Sequence, residues 1–383
     1  MTLSKTQSID KPIWVDSKKK WYKAASEILK ADCIAVDMES NGLYSYPERI
    51  CLVQLNTKDK SYLIDTMSVS DLSVLGEVFA NPKIEKVMHG CDYDIRSFDR
   101  DYGFRLKNIF DTEVSARFCG ATLTGLDIVL KEFLGVTIDK IKRLQKANWG
   151  LRPLTKEMIS YALNDVRYLI PLRNELVRRL SLCGRLEWVK EECCRIESIQ
   201  HCCEQPPEQT FKKAKGVYKL NPRQLAIFKE LFILRQREAL RYGKPPFKIL
   251  SIETLIFLAK NPYVNLDSIR GIGKDINNSE ILKAISDGLT APPVVKNPIK
   301  KRVSFKWTKE ARTRYTSLKS WRQKKSEAFG LVPNIIWPTR NLEFISLEPF
   351  DVNGDLNVRD CPEIRKWQLK EFQHEVVSVL SKY

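Results

Sequence analysis

Residues 33–56 read CIAVDMESNGLYSYPERICLVQLN, and this stretch decides the fold. Cys33 to Asp37 is a short apolar run with strand character, and Ile50 to Asn56 is a second. A third, Ser61 to Asp65 (SYLID), follows directly. Turn-rich connections join the three, which predicts an antiparallel meander. A helix from Ser17 to Lys30 precedes it. After a helix around Asp71 to Ala80, Glu85 to His89 (EKVMH) reads as a fourth strand. Asp92 to Tyr102 is then helical, and Asn108 to Asp111 is a short fifth strand. From there to about Cys203 the pattern is helical. Strands first and helices after, around a mixed five-stranded sheet, imply an α/β layered domain of about 200 residues.

Two breaks divide the rest. Glu204 to Gly216 (EQPPEQTFKKAKG) is polar with two prolines, and Thr290 to Lys301 (TAPPVVKNPIKK) is similar. Both read as linkers. The expected organisation is an α/β domain at 1–205, a linker at 206–216, an all-α unit at 217–292, a linker at 293–303 and a second all-α unit at 304–383. The two α units look duplicated. Sliding the sequence by 87 aligns Leu231 with Leu318, Arg235-Gln236 with Arg322-Gln323, Gly243 with Gly330 and Pro246 with Pro333. Ile249, Leu255 and Phe257 meet Ile336, Leu342 and Phe344 in the same register. Each copy reads as a basic amphipathic helix, a Gly/Pro turn and a further helix.

Charge separates the halves. The chain of 383 residues has 64 Lys plus Arg against 47 Asp plus Glu, a formal +17. Residues 1–200 carry +3 and the remainder +14. Such asymmetry suggests a polyanion at the second half. Lys212, Lys213, Lys215, Lys219, Arg235, Arg237 and Arg241 form one basic stretch. Lys300, Lys301, Arg302, Lys306, Arg312, Arg314, Arg322, Lys324 and Lys325 form another, with Trp307, Tyr315 and Trp321 among them. The cations as a group are expected on nucleic-acid phosphates. Trp321 aligns with apolar Leu234 and is expected in a core.

A composition of 43% hydrophobic and 29% charged residues excludes a mostly disordered chain, a collagen and a coiled-coil rod. No apolar run reaches the roughly 18 residues of a membrane span, and Met1 to Lys11 lacks an apolar signal core. Ten scattered cysteines then read as reduced thiols, with a cytoplasmic location expected. Cys193-Cys194 and His201-Cys202-Cys203 lack the usual zinc spacing and are expected to be small helical residues.

The chemistry lies in the acids. Asp37 and Glu39 are two apart at the end of the first strand, so both point to one face. Such a pair repels itself unless a cation lies between, and hard divalent ions bind carboxylate oxygens. Asp94 follows the fourth strand in VMHGCDYD. Asp165 lies in the helix ISYALNDVRYL, with Tyr161 one turn earlier on the same face. Four such acids can hold two metal ions about 3.5–4 Å apart and stabilise an in-line phosphoryl displacement. The tyrosine hydroxyl can position the attacking water.

DMESNGLYSYPERICLVQL resembles the first exonuclease motif of the ribonuclease D family. VMHGCDYDIRSF resembles the second, and YALNDVRYLIPL the third, of the DEDDy type with a tyrosine four residues before the last Asp. IFDTEVSARFCG and LQKANWGLRPLT also match family segments, and the resemblance covers about residues 12–200. Leu220 to Ser286, and more loosely Phe305 to Leu380, are similar to the HRDC domain shared by RecQ-type helicases and ribonuclease D.

The resemblance implies a ribonuclease-H-like exonuclease sheet followed by two HRDC-type bundles. It implies that Asp37, Glu39, Asp94 and Asp165 bind two divalent ions, Mg²⁺ or Mn²⁺. Asp37 would bridge them, Glu39 and Asp165 complete one site, and Asp94 hold the second ion. Tyr161 would orient the nucleophilic water. The implied reaction is 3′-to-5′ hydrolysis of RNA that releases nucleoside 5′-monophosphates, with tRNA precursors and other small structured RNAs as partners. No obligate protein partner is evident.

Other positions stay open. His89 either touches the substrate strand or is a satisfied histidine at a strand end. Leu43 either wedges against the terminal base or is packed. Arg152 either meets a phosphate or pairs with an acid. Gln54 reads as structural. Met38 and Asn148 depart from the family pattern, where Thr and Asp are usual. Gly271 to Lys274 (GIGK) resembles a phosphate-contacting hairpin loop but lacks a triphosphate-binding pattern. A DNA 3′-5′ exonuclease and an inactive nucleic-acid-binding scaffold are the competing readings.

Overall fold

The computed structural model describes residues 11–383 apart from 140, 204, 270, 273–275, 296–306, 360 and 362. Its sheet contains β1 (Ile13–Val15), β2 (Cys33–Ser40), β3 (Ile50–Asn56), β4 (Ser61–Ile64), β5 (Glu85–Met88) and β6 (Ile109–Asp111). The strand order is β1-β4-β3-β2-β5-β6. β2, β3 and β4 form the antiparallel meander, while β5 and β6 add in parallel beyond β2. The sheet is mixed, as expected, but has six strands rather than five. The additional one is β1, which pairs parallel to β4, Trp14 opposite Leu63. Three residues beside a polar tail show no alternation; β1 is a strand because β4 offers it an open edge.

Period-2 geometry splits β2 between two environments. Val36 and Met38 join Val53, Leu55 and Ile64 under α1 (Lys18–Ile28), α2 (Ser73–Ala80) and α3 (Asp92–Tyr102). Met38 therefore packs on the face opposite Asp37 and Glu39. The other face is covered by α4 (Thr112–Phe118), α5 (Leu126–Leu134), α6 (Lys156–Arg167), α7 (Leu169–Leu182) and α8 (Leu186–Ile196). Leu52 and Leu63 meet Trp149, Met158 and Ala162 there, which seats α6 over β2 and β3.

After the short α9 (Pro207–Thr210), the duplication is visible helix by helix. α10 (Pro222–Tyr242), α11 (Pro246–Ile249) and α12 (Ile252–Lys260) are followed by α13 (Asn278–Thr290). α14 (Lys309–Phe329), α15 (Pro333–Ile336) and α16 (Thr339–Leu347) repeat the first three at an offset of 87 residues in both start and end. α17 (Lys366–Leu380) closes the second set. Gly243 and Gly330 end the long helices at φ 60 in both copies, a left-handed backbone that glycine adopts without strain.

The copies use their apolar faces differently. α10 to α13 enclose a core of their own around Phe228, Leu231 and Ile281. α14 to α17 share one core with α4, α5, α7 and α8. Trp367 stacks on Trp188 at 4.3 Å between ring centroids and meets Phe118 edge-on at 5.6 Å. The Glu191 carboxylate accepts the backbone N–H of Lys366 at 2.7 Å and of Trp367 at 2.9 Å, capping α17 from the α/β side. Trp321 is buried, and its indole donates to Glu375 at 2.8 Å.

Two arginines expected on RNA are interior. Arg235 and Arg322, equivalent in the two copies, are 6% and 9% exposed. Arg235 lies 4.6 Å over the Phe232 ring, and burial pushes its guanidinium down to about 10. Arg322 donates to the Trp337 carbonyl and the Thr339 hydroxyl, each at 2.9 Å. Lys300, Lys301, Arg302 and Lys306 lie outside the described residues, as do Gly273 and Lys274 of the GIGK segment. Cys193 is buried while Cys194, Cys202 and Cys203 are exposed. Among the described residues no metal-ligand group forms around them, and no helix is long and apolar enough to cross a membrane.

Candidate active site

A cavity of about 680 Å³ opens beside the end of β2 and is lined by Asp37, Glu39, Asp94, Tyr161 and Asp165, with Leu43 and His89. The side chains arrive from three elements. β2 carries Asp37 and Glu39 on the face that α6 covers. α6 carries Tyr161 and Asp165 one turn apart, and the Thr155 hydroxyl caps its start by accepting the Met158 N–H at 3.2 Å. Asp94 sits in the first turn of α3.

The turn ahead of α3 is held by a residue that strand pattern alone did not single out. Asp111, buried at the end of β6, accepts the N–H of Gly90 at 3.1 Å and of Cys91 at 3.0 Å. Its carboxylate also accepts Glu113 and Val114 N–H at the start of α4. One carboxylate thus ties together the loops that follow β5 and β6.

One oxygen each from Asp37, Glu39 and Asp165 lie within 4.8 Å of one another. Asp94 lines the same cavity, close enough for the Asp37 charge to act on it. Carboxylates this close cannot all ionise without a cation. Burial pushes Asp37 up to about 6, tempered by its bonds to Met38 N–H and Asp94. Burial and the Asp37 charge push Asp165 up to about 8. Burial and the neighbouring acids raise Glu39 and Asp94 well above the ordinary carboxylate range. Burial first, and then the acids, also raise the Tyr161 phenol, so it is a neutral O–H. Hard oxygen donors with this surplus of negative charge fit divalent metal ions.

The remaining positions sort clearly. Leu43 lines the cavity at its rim, 45% exposed. His89 is satisfied inside the fold. Its Nε2 lies 2.8 Å from the Thr124 carbonyl and its Nδ1 2.9 Å from the Thr112 hydroxyl. Burial lowers its basicity, and the ring nitrogen facing the Thr124 carbonyl donates to it. Arg152 does not line the cavity. Its guanidinium pairs with Asp65 at 2.6 Å and donates to the carbonyls of Cys51, Trp149 and Leu151. The acid pairing that the sequence left open is thus made, with Asp65. Asn148 keeps the local turn, its side-chain oxygen accepting the Gly150 N–H at 3.1 Å.

The rim loop touches the first helical copy. Tyr46 N–H donates to the Gly243 carbonyl at 3.0 Å, and Lys248 lies 4.4 Å over the Tyr44 ring. Tyr44 also donates to the Lys146 carbonyl at 2.7 Å. Tyr93, 49% exposed on the cavity wall, bonds Ser40 at 2.9 Å and Glu48 at 3.0 Å. Neither Tyr93 nor Lys248 carried a signal of its own in the sequence.

The mixed sheet with an acidic cavity at the end of β2 is the ribonuclease-H-like exonuclease fold. Residues 12–181 match a family model described as 3′-5′ exonuclease. A ribonuclease D of Acidiphilium cryptum is 30% identical over 293 residues, covering 75% of this chain and 74% of the relative. The exosome complex exonuclease RRP6 of Saccharomyces cerevisiae is 35% identical over 188 residues, 48% of this chain and 25% of that protein. The crystal structure of Escherichia coli RNase D superposes with a TM-score of 0.69 at 22% identity, over 98% of this chain and all of the other. The chain belongs to the ribonuclease D family and is a hydrolytic exoribonuclease.

Proposed function

We propose that this chain shortens RNA from its 3′ end, one nucleotide at a time, at Asp37, Glu39, Asp94 and Asp165, and releases nucleoside 5′-monophosphates. The observation that carries this reading is the convergence of three carboxylates within 4.8 Å, with Asp94 and Tyr161 lining the same solvent-open cavity. Water adds to the last phosphorus, the bond to the preceding 3′ oxygen breaks, and that oxygen leaves protonated. Two divalent ions, Mg²⁺ or Mn²⁺, when bound by the four acids, stabilise the attacking and leaving oxygens. Asp37, Glu39, Asp94 and Asp165 would together hold the ions, with Asp37 shared between them. Tyr161, an uncharged donor one turn from Asp165, holds the attacking water. Leu43 stands at the rim where a terminal base would enter, and the His89 ring forms wall beside it.

Tyr161→Phe should lower the turnover number by roughly 10- to 1000-fold, the range for a lost positioning donor, with RNA affinity changed less than about threefold. Single-turnover rates beside equilibrium binding to uncleaved RNA in Ca²⁺ would show this. Weaker binding at normal turnover would contradict the assigned role.

Residues 1–205 are read as the cutting unit, and 217–292 and 304–383 as HRDC-type units. The first of these presents Lys248 at the rim loop. The substrates proposed are tRNA precursors and other small structured RNAs, gripped through phosphates by the basic second half. Affinity for RNA should fall steeply between 50 and 300 mM salt, by about tenfold or more for a few phosphate contacts. Filter binding at several salt concentrations measures the slope, and a flat response would remove the electrostatic grip.

A further inference from the structure

Gln54 lies in the middle of β3, fully buried, and neither its Oε1 nor its Nε2 has a hydrogen-bond partner. It faces the site: in the β2–β3 register it is paired with Asp37, and in the β3–β4 register with Leu63. Paired residues of antiparallel strands point to the same side, with Cβ atoms about 4.5–5.5 Å apart. That side is the one α6 covers with Met158 and Ala162.

Packing does not call for a carboxamide here. Besides Asp37, the strand residues sharing this face are Leu52 and Leu63, which pack in one apolar cluster with Ala162, and a methionine of the same length would join it without burying two polar atoms. An interior donor left unpaired is destabilising unless another state of the protein supplies its acceptor.

We propose that Gln54 is a positioning residue for the Asp37 carboxylate, donating its Nε2–H to Asp37 when that carboxylate serves as a metal ligand. The inference rests on reading that cluster as a metal site. Asp37 is the ionisable side chain to which Gln54 is paired in register. A neutral donor suits the place. It steadies a carboxylate anion and fixes which oxygen faces the ion, whereas a lysine or arginine would neutralise Asp37 permanently and repel the cation. Partners behind metal ligands commonly alter affinity by about 10- to 100-fold when removed.

The test is Gln54→Met in the full chain, titrated with Mn²⁺ alone by calorimetry and melted without metal. Mn²⁺ affinity should fall about tenfold, while the metal-free melting temperature holds or rises. Turnover should drop at limiting metal and recover at higher metal, with KM for RNA unchanged. Unchanged Mn²⁺ affinity, or a lower metal-free melting temperature without an affinity change, overturns the proposal. If wild type binds Mn²⁺ and cuts RNA but Q54M binds as tightly, the Gln54 assignment alone fails. If wild type neither binds nor cuts, the metal-site reading fails and takes this proposal with it. Should Q54M not fold, a crystal structure of Mg²⁺-loaded wild type decides. Nε2 within about 3.2 Å of an Asp37 carboxylate oxygen supports the role, and a separation beyond about 4 Å overturns it.

Discussion

Asp165→Asn should abolish RNA shortening, by about a thousandfold or more as for loss of a metal-binding or charge-stabilising group, and at the same time stabilise the metal-free protein at pH 8. The two effects share one cause. Burial and the nearby Asp37 charge push the Asp165 carboxyl from 3.8 to about 8 in the folded protein. The folded chain therefore binds more protons than the unfolded chain between about pH 4 and pH 8, and stability falls as pH rises through that window. Asparagine carries no such charge. At pH 8 its metal-free form should be more stable by about 1–3 kcal/mol, and at pH 4 the difference should vanish. Thermal melts at the two pH values in a chelator would show it. A variant less stable at both would mean that Asp165 serves the fold rather than the chemistry.

Trp367→Ala should cost about 3–5 kcal/mol, the range for a large aromatic removed from a core. Trp367 is 5% exposed, stacks on Trp188 and touches Phe118 and Phe372. Its indole also donates to Glu192 at 3.2 Å. Because α17 and α8 share one core, the loss should lower the melting of the exonuclease sheet and of the second helical copy together. Separate transitions, with the exonuclease part unmoved, would show that the shared core contributes little. The first copy, with a core of its own, should be much less affected.

The acids were legible because their spacing obeys backbone geometry. D-x-E along a strand places two carboxylates on one face, and tyrosine and aspartate four apart share a helix face. The offset of 87 was legible because each copy keeps its turn glycine, its prolines and its apolar positions. Sequence did not show which apolar faces meet. Trp188 and Trp367 lie far apart in the chain, and periodicity says that each is buried without saying against what. β1 was missed because three residues carry no period. Arg235 and Arg322 misled for a different reason. An arginine reads as a surface cation until its carbonyls, carboxylate or aromatic ring are seen around it. The signal available for these two was that both copies keep Arg-Gln at the same register, one turn after a leucine. Gln54 gave no warning, since its interest lies in having no partner.

Most directly, matched 5′-labelled RNA and DNA oligonucleotides should be incubated with the purified chain in EDTA, Mg²⁺ and Mn²⁺. With either metal the RNA should shorten in single-nucleotide steps from its 3′ end, with nucleoside 5′-monophosphates accumulating. EDTA should stop it, and the DNA should shorten more slowly. RNA left intact at every metal concentration, or shortened equally well in EDTA, would contradict the account.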